Sequence, residues 1–142
     1  MSPPLHHRIE LYLSQVIIFD PQYDAYIPLI IANGGIPRSV KLDPSDWSVP
    51  HEQLAAAFND KTKLILINTP HNPTGKIFSR EDLQFIAALC HKWGVYAVCD
   101  EVRRLLLPAQ QILSLFTKTK TILIAQCSSG GLGRGRLQPF TL

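Results

Sequence analysis

Two runs of consecutive apolar residues, joined by one amphipathic segment, constrain the fold of this chain more than any other feature. The runs are residues 63–67 (KLILI) and 95–99 (VYAVC). Neither alternates with polar residues, as expected for strands buried on both faces of a parallel sheet. The segment between them has helical spacing, so the pattern predicts a βαβ unit with a right-handed crossover and two parallel strands.

Ser79 and Gly94 predict the two ends of the helix in this unit. Asp82 lies three residues after Ser79, which is a form of capping box, and acidic residues in the first turn favour the helix dipole. Gly94 is typical of a helix terminus. Between them one face carries the apolar residues Leu83, Ile86, Ala87, Cys90 and Trp93.

The turn-rich segment 68–76 (NTPHNPTGK) follows the first of the two predicted strands. In open α/β sheets the ligand crevice lies just outside the carboxyl ends of the strands, so this segment is a candidate binding loop. Asp100 ends the second strand and is expected to face the same crevice. The alternative is an ordinary connection, because Asn-Pro and Thr-Gly are common turn sequences.

The remaining patterns extend the βαβ unit in both directions. We expect strands at residues 16–19 and 39–42 and helices at 23–32 and 51–58, which gives βαβαβαβ and an α/β class. Residues 105–108, 110–115 and 122–125 are expected to add a helix and a strand that cover the sheet.

The composition excludes several functions. A chain of 142 residues, 46% of them hydrophobic, is typical of one globular domain. The basic residues behind the net charge of +3 are scattered, so we expect no nucleic-acid partner, and no segment is long and apolar enough to span a membrane. The five histidines lack metal-ligand spacing, so we expect no metal site.

The cysteines indicate a reducing compartment. Their count of three is odd, and two of them, Cys90 and Cys99, lie in predicted buried elements. This pattern favours reduced thiols over a disulfide framework. We expect a cytoplasmic location, with a mitochondrion or plastid left open.

Several motifs, in order and spacing, resemble one known family. The motifs are residues 16–26 (VIIFDPQYDAY), 34–37 (GGIP), 54–58 (LAAAF), 68–76, 78–83 (FSREDL) and 100–102 (DEV). They resemble the class I/II aminotransferases of the pyridoxal-phosphate fold type I superfamily, and within it the kynurenine, glutamine and methionine aminotransferase branch. The resemblance implies a partial three-layer sandwich with a mostly parallel sheet, a fragment of the large domain of such an enzyme.

The resemblance assigns roles to four residues. Asp100 matches the carboxylate that pairs with the pyridine nitrogen of pyridoxal 5'-phosphate and keeps it protonated. Asn72 matches an amide donor to the ring hydroxyl, Tyr23 an aromatic ring stacked on the cofactor, and Asn68 a residue near the substrate carboxylate. Purely structural roles stay open for three of these residues. Asp100 is also typical of a helix N-cap, Asn72 is also typical of a turn, and Tyr23 is also typical of a half-buried position in a core.

The chain departs from the family pattern at both ends. The family forms its Schiff base through a lysine in a Ser-x-x-Lys motif. Lys118 and Lys120 lie in different surroundings, so we expect no catalytic Schiff-base lysine here, and Arg103 stands where the family has a tyrosine. Residues 1–15 lack the small-residue helix start that binds the cofactor phosphate. We therefore expect a large-domain fragment at 16–102 with divergent ends at 1–15 and 103–142.

Two functions from different classes follow from this pattern. In the first, the chain belongs to an aminotransferase that moves an amino group from an amino acid to a 2-oxo acid, with a homodimer implied by the family, although the chain alone is expected to be inactive. In the second, it is a non-catalytic truncated or alternatively spliced product that interacts with a full-length subunit. The missing lysine motif is the feature that separates the two.

Overall fold

A parallel sheet with helices on both of its faces forms the core of the fold. The computed structural model describes residues 13–101 and 121–125. In chain order the elements are β1 (Gln15–Asp20), α1 (Tyr26–Ala32), β2 (Ile36–Lys41), α2 (His51–Ala57), β3 (Thr62–Asn68), α3 (Arg80–Trp93), β4 (Tyr96–Glu101) and β5 (Thr121–Ala125). These strands pair in parallel in the order β2-β1-β3-β4-β5. The predicted α/β class is confirmed.

The sheet separates two hydrophobic clusters because successive side chains of a strand point to opposite faces. One cluster packs Ile30 of α1 against β1, β3 and β4, through Val16, Ile18, Leu64 and Val98. The other packs α2 and α3 against the alternate residues of the same strands; it includes Leu54, Leu83, Ile86, Ile17, Ile65 and Ala97. The predicted three-layer arrangement is therefore confirmed.

The direction of each crossover explains which helix lies on which face. The chain moves toward one edge of the sheet from β1 to β2, and toward the other edge from β2 to β3 and from β3 to β4. Right-handed crossovers that run in opposite directions place their helices on opposite faces. Accordingly α1 lies on one face, and α2 and α3 lie on the other.

The ends of α3 agree with the sequence prediction. The Ser79 side chain accepts from the Asp82 N–H at 3.0 Å and the Asp82 carboxylate accepts from the Ser79 N–H, which completes the capping box. Gly94 ends the helix at φ 66°. The placement of Trp93 on the buried face was wrong, since it is 40% exposed. Trp93 is the last residue of α3 and lies beyond its buried positions, the last of which is Cys90.

Two prolines explain where other boundaries differ from the prediction. α1 begins at Tyr26 and not at Tyr23, because Pro28 has no N–H and is tolerated only in the first turn of a helix. β2 begins at Ile36, before Pro37, and not at Ser39. It lies at the edge of the sheet formed by the described strands, and a proline is tolerated in an edge strand.

The last described strand joins the sheet and does not cover it. Residues 122–125 fall within β5, which pairs in register with β4. The predicted elements at 105–108 and 110–115 lie outside the described residues. Among the described helices, none has the length and hydropathy needed to cross a membrane.

Removal of the capping box is expected to destabilise the fold. Ser79→Ala leaves the Asp82 N–H without its side-chain acceptor, which should lower the free energy of unfolding by about 1 kcal/mol. Urea denaturation checks this, with Arg80→Ala as the control, because Arg80 is the exposed neighbour in the first turn. An equal loss in the two variants would contradict the prediction.

Candidate functional site

The candidate site begins where a row of apolar side chains becomes polar at the carboxyl edge of the sheet. On the face that α1 covers, β3 presents Leu64 and Leu66 to the hydrophobic cluster and then ends at Asn68. Asn68 pairs in register with Asp100 of β4. Both residues are buried, with exposures of 4% and 8%. Two neighbouring polar side chains at the end of a hydrophobic face require hydrogen-bond partners.

Tyr26, the first residue of α1, is a partner of both. Its hydroxyl donates to Oδ2 of Asp100 at 2.7 Å and accepts from Nδ2 of Asn68 at 2.7 Å. The Oδ1 atom of Asn68 accepts from the backbone N–H of Asn72 at 3.1 Å. The direction of these bonds is set, because an amide nitrogen donates and a carboxylate accepts. A chain of hydrogen bonds therefore runs from the loop after β3, through α1, to β4.

One oxygen of Asp100 has no partner within the described part of the chain. Tyr26 holds Oδ2, whereas Oδ1 is buried and accepts no hydrogen bond there. Burial raises the pKa of Tyr26 above its ordinary value; the hydrogen bond from Asn68 opposes this and the charge of Asp100 adds to it. The phenol thus keeps its proton and remains a donor. A buried carboxylate oxygen without a donor is costly, and a ligand with an N–H group would satisfy it.

The structure brings the other two predicted residues to the same cluster. The ring of Tyr23 lies edge-on to the ring of Tyr26, with centroids 5.5 Å apart. Tyr23 is 45% exposed, so much of its ring is accessible to a ligand. Asn72 joins the cluster through its backbone N–H, and the residue is exposed. Three of the four residues predicted from the sequence therefore contact Tyr26, and Asn72 is joined to it through Asn68.

The loop between β3 and α3 is held by its own contacts. The His71 N–H donates to the Lys76 carbonyl oxygen at 2.8 Å, and the Gly75 N–H donates to the His71 carbonyl oxygen at 2.6 Å. Gly75 has a φ of 73°, a conformation that favours glycine. The Lys76 ammonium lies 3.6 Å from the carboxylate of Asp82 in the first turn of α3. These contacts fix the loop, and with it the backbone N–H that holds Asn68.

Sequence reasoning found four residues of the cluster but missed Tyr26. A signal was present, because Tyr26 lies in one of the family-like motifs, three residues after Tyr23. A tyrosine hydroxyl close to a core usually finds a polar partner. Its partners Asn68 and Asp100 are 42 and 74 residues away in the chain, and no local pattern predicts contacts over such separations.

Comparison with known proteins identifies the class to which this fold and site belong. The family model for aminotransferase class I and II matches residues 13–129. The chain belongs to the class I and II aminotransferase family, and the motif resemblance is confirmed.

Relatives of this chain include both curated sequences and solved structures. Human kynurenine–oxoglutarate transaminase 3 is 41% identical over 98 residues, which cover 62% of this chain and 22% of that protein. Bna3p of Saccharomyces cerevisiae aligns with a TM-score of 0.73 and 32% identity over 80% of this chain and 31% of its own. YbdL of Escherichia coli, whose structure is described with a methionine aminotransferase function, aligns with a TM-score of 0.72 and 28% identity over 80% of this chain and 32% of its own. The chain thus spans between a fifth and a third of the length of these relatives.

Acid is expected to weaken the fold through His71. Burial, and then the positive charge of Lys76, lower the pKa of His71 below its ordinary value of 6.5. Below that pH the unfolded chain binds a proton that the folded chain still excludes, so the free energy of unfolding falls as the pH falls. Urea unfolding between about pH 7 and pH 5 should show this slope in the wild type and a flatter slope in His71→Gln. Equal slopes in the wild type and in His71→Gln would contradict the assignment of the acid sensitivity to His71.

Proposed function

We propose that this chain supplies the ring-binding side of a pyridoxal 5'-phosphate site for amino-group transfer between an amino acid and a 2-oxo acid. The observation that carries the proposal is the buried Oδ1 of Asp100, which has no partner among the described residues. Membership of the aminotransferase family supports the proposal, because these enzymes depend on pyridoxal phosphate.

The side chains around Asp100 suit a substituted pyridine ring. A carboxylate that accepts an N–H hydrogen bond favours the protonated form of a ring nitrogen, and Oδ1 is the oxygen assigned to this task. The amide of Asn72 provides donors for a ring hydroxyl, and the exposed ring of Tyr23 provides a surface for stacking. When bound, pyridoxal phosphate supplies an electron-accepting ring. The task of this chain is to bind and orient that ring and to hold a proton at its nitrogen.

Asn68 is proposed to serve both the cluster and the substrate. Its Nδ2 donates one N–H to the hydroxyl of Tyr26. An amide nitrogen carries two N–H groups, and we assign the second to the substrate carboxylate. Tyr26 would thereby couple the substrate end of the site to the ring end at Asp100.

The remaining parts of the proposal rest on the family alone. They are the amino acid and 2-oxo acid substrates and a homodimeric assembly. The proposed cytoplasmic location rests instead on the cysteines, since their count is odd and Cys90 and Cys99 are buried free thiols. We also propose that residues 103–142 provide no Schiff-base lysine, so that this chain alone binds the ring without turnover.

Pyridoxine 5'-phosphate tests the ring site directly. It keeps the ring nitrogen, the ring hydroxyl and the phosphate, but it has no aldehyde that could react with surface lysines. In calorimetric titrations, Asp100→Ala should weaken binding by about 10- to 100-fold, since a hydrogen bond to a charged group contributes about 1.5–3 kcal/mol.

Asp60→Ala is the matched control for this titration. It removes an exposed carboxylate just before the amino end of β3, at the opposite edge of the sheet, and it should bind as the wild type does. The proposal is refuted by equal affinities of the wild type and Asp100→Ala, or by a wild-type chain that does not bind.

A further inference from the structure

The hydroxyl of Tyr26 selects one oxygen of the Asp100 carboxylate. Tyr26 donates to Oδ2, and Oδ1 is left without a partner among the described residues. The two oxygens of a carboxylate are chemically equivalent acceptors, so a donor held in place on one side decides how the group is presented on the other. Tyr26 is such a donor, because its own oxygen is held by Nδ2 of Asn68 at 2.7 Å.

We propose that Tyr26 is a positioning residue for recognition of the ring nitrogen: held by Asn68, it orients the Asp100 carboxylate so that Oδ1 accepts the N–H of a protonated pyridine. The inference rests on the proposed function, since it requires a pyridine ring at this site. It extends that function in one respect. The preference of the site for a ring nitrogen is assigned to Tyr26 and Asn68, which hold the carboxylate, as well as to Asp100 itself.

Contacts on three sides hold Tyr26 in this position. Its backbone N–H donates to the carbonyl oxygen of Tyr23 at 3.0 Å, and the ring of Tyr23 lies edge-on to its own ring. Asn68 is itself held by the backbone N–H of Asn72. Burial raises the pKa of Tyr26, so its hydroxyl stays protonated at neutral pH and can only donate toward Asp100. The phenol is therefore fixed in both place and protonation state.

A pair of ligands separates positioning from a merely structural role. The pair is pyridoxine 5'-phosphate and its 1-deaza analogue, in which a C–H group replaces the ring nitrogen. The ratio of their dissociation constants measures the contact between Oδ1 and the ring nitrogen. The wild type should prefer the pyridine ligand by on the order of tenfold or more, as expected for a charge-assisted hydrogen bond. Tyr26→Phe should lose most of that preference and still bind the deaza analogue as the wild type does.

The control is Tyr96→Phe, which removes a hydroxyl from the amino end of β4 and should keep the wild-type preference. If Tyr26→Phe also keeps it, or if both ligands weaken equally in that variant, the inference is overturned and the proposed function stands. If the wild type shows no preference for the pyridine ligand, the proposed function is overturned and the inference with it.

A second measurement keeps the inference falsifiable if Tyr26→Phe does not fold, because the inference requires the hydrogen bond between Tyr26 and Asp100 in solution. The wild-type chain, labelled with carbon-13 at the tyrosine Cζ atoms, is compared without ligand with Asp100→Asn, which has nearly the same shape. A hydrogen bond to a carboxylate perturbs the phenol, so the Tyr26 resonance should move while the Tyr96 resonance stays. A Tyr26 resonance at the same position in both proteins would overturn the inference.

Discussion

The handedness of the strand crossovers is the constraint on which the site depends. At the neighbouring strands β1 and β3 the chain leaves the sheet toward opposite faces, and such a switch opens a crevice at the carboxyl edge. The same switch brings the first residue of α1, Tyr26, to the ends of β3 and β4. A left-handed crossover would place α1 on the face of α2 and α3, and the hydroxyl of Tyr26 on the wrong side of Asp100.

Burial makes the polar cluster both costly and specific. Asn68 and Asp100 lie at the end of an apolar face, where an unpaired amide or carboxylate loses its hydration without compensation. The hydroxyl of Tyr26 is the hydrogen-bond partner of Oδ2 of Asp100 and of Nδ2 of Asn68. The backbone N–H of Asn72, in the loop after β3, is the partner of Oδ1 of Asn68. Oδ1 of Asp100 is left without a partner among the described residues. Among the described residues, Oδ1 of Asp100 is thereby the unpaired buried atom that belongs to this cluster; the other, Oε1 of Gln22, lies just before Tyr23 in the chain.

Most of the fold was predictable because local patterns determine it. Unbroken apolar runs indicated β3 and β4, and the capping box at Ser79 indicated the start of α3. Boundaries failed where tertiary pairing or one missing N–H decided them, as at Pro37 in β2 and Pro28 in α1. Four candidate site residues were predicted through a family resemblance and the rule for the carboxyl ends of strands, and the structure places them in one cluster. The role of Tyr26 was not predictable, because it depends on a contact between residues 74 positions apart.

The order of α1, β3 and β4 along the chain has a consequence for synthesis. Asp100 follows Tyr26 by 74 residues, so a ribosome that adds 5–20 residues per second produces it about 4–15 s later. Asn68 follows Tyr26 by 42 residues, so only in the later part of that interval does the growing chain hold both the phenol and the amide, with the acid still missing. Asp100 pairs in register with Asn68, so the pairing that adds β4 to the sheet also brings the carboxylate to the hydroxyl of Tyr26.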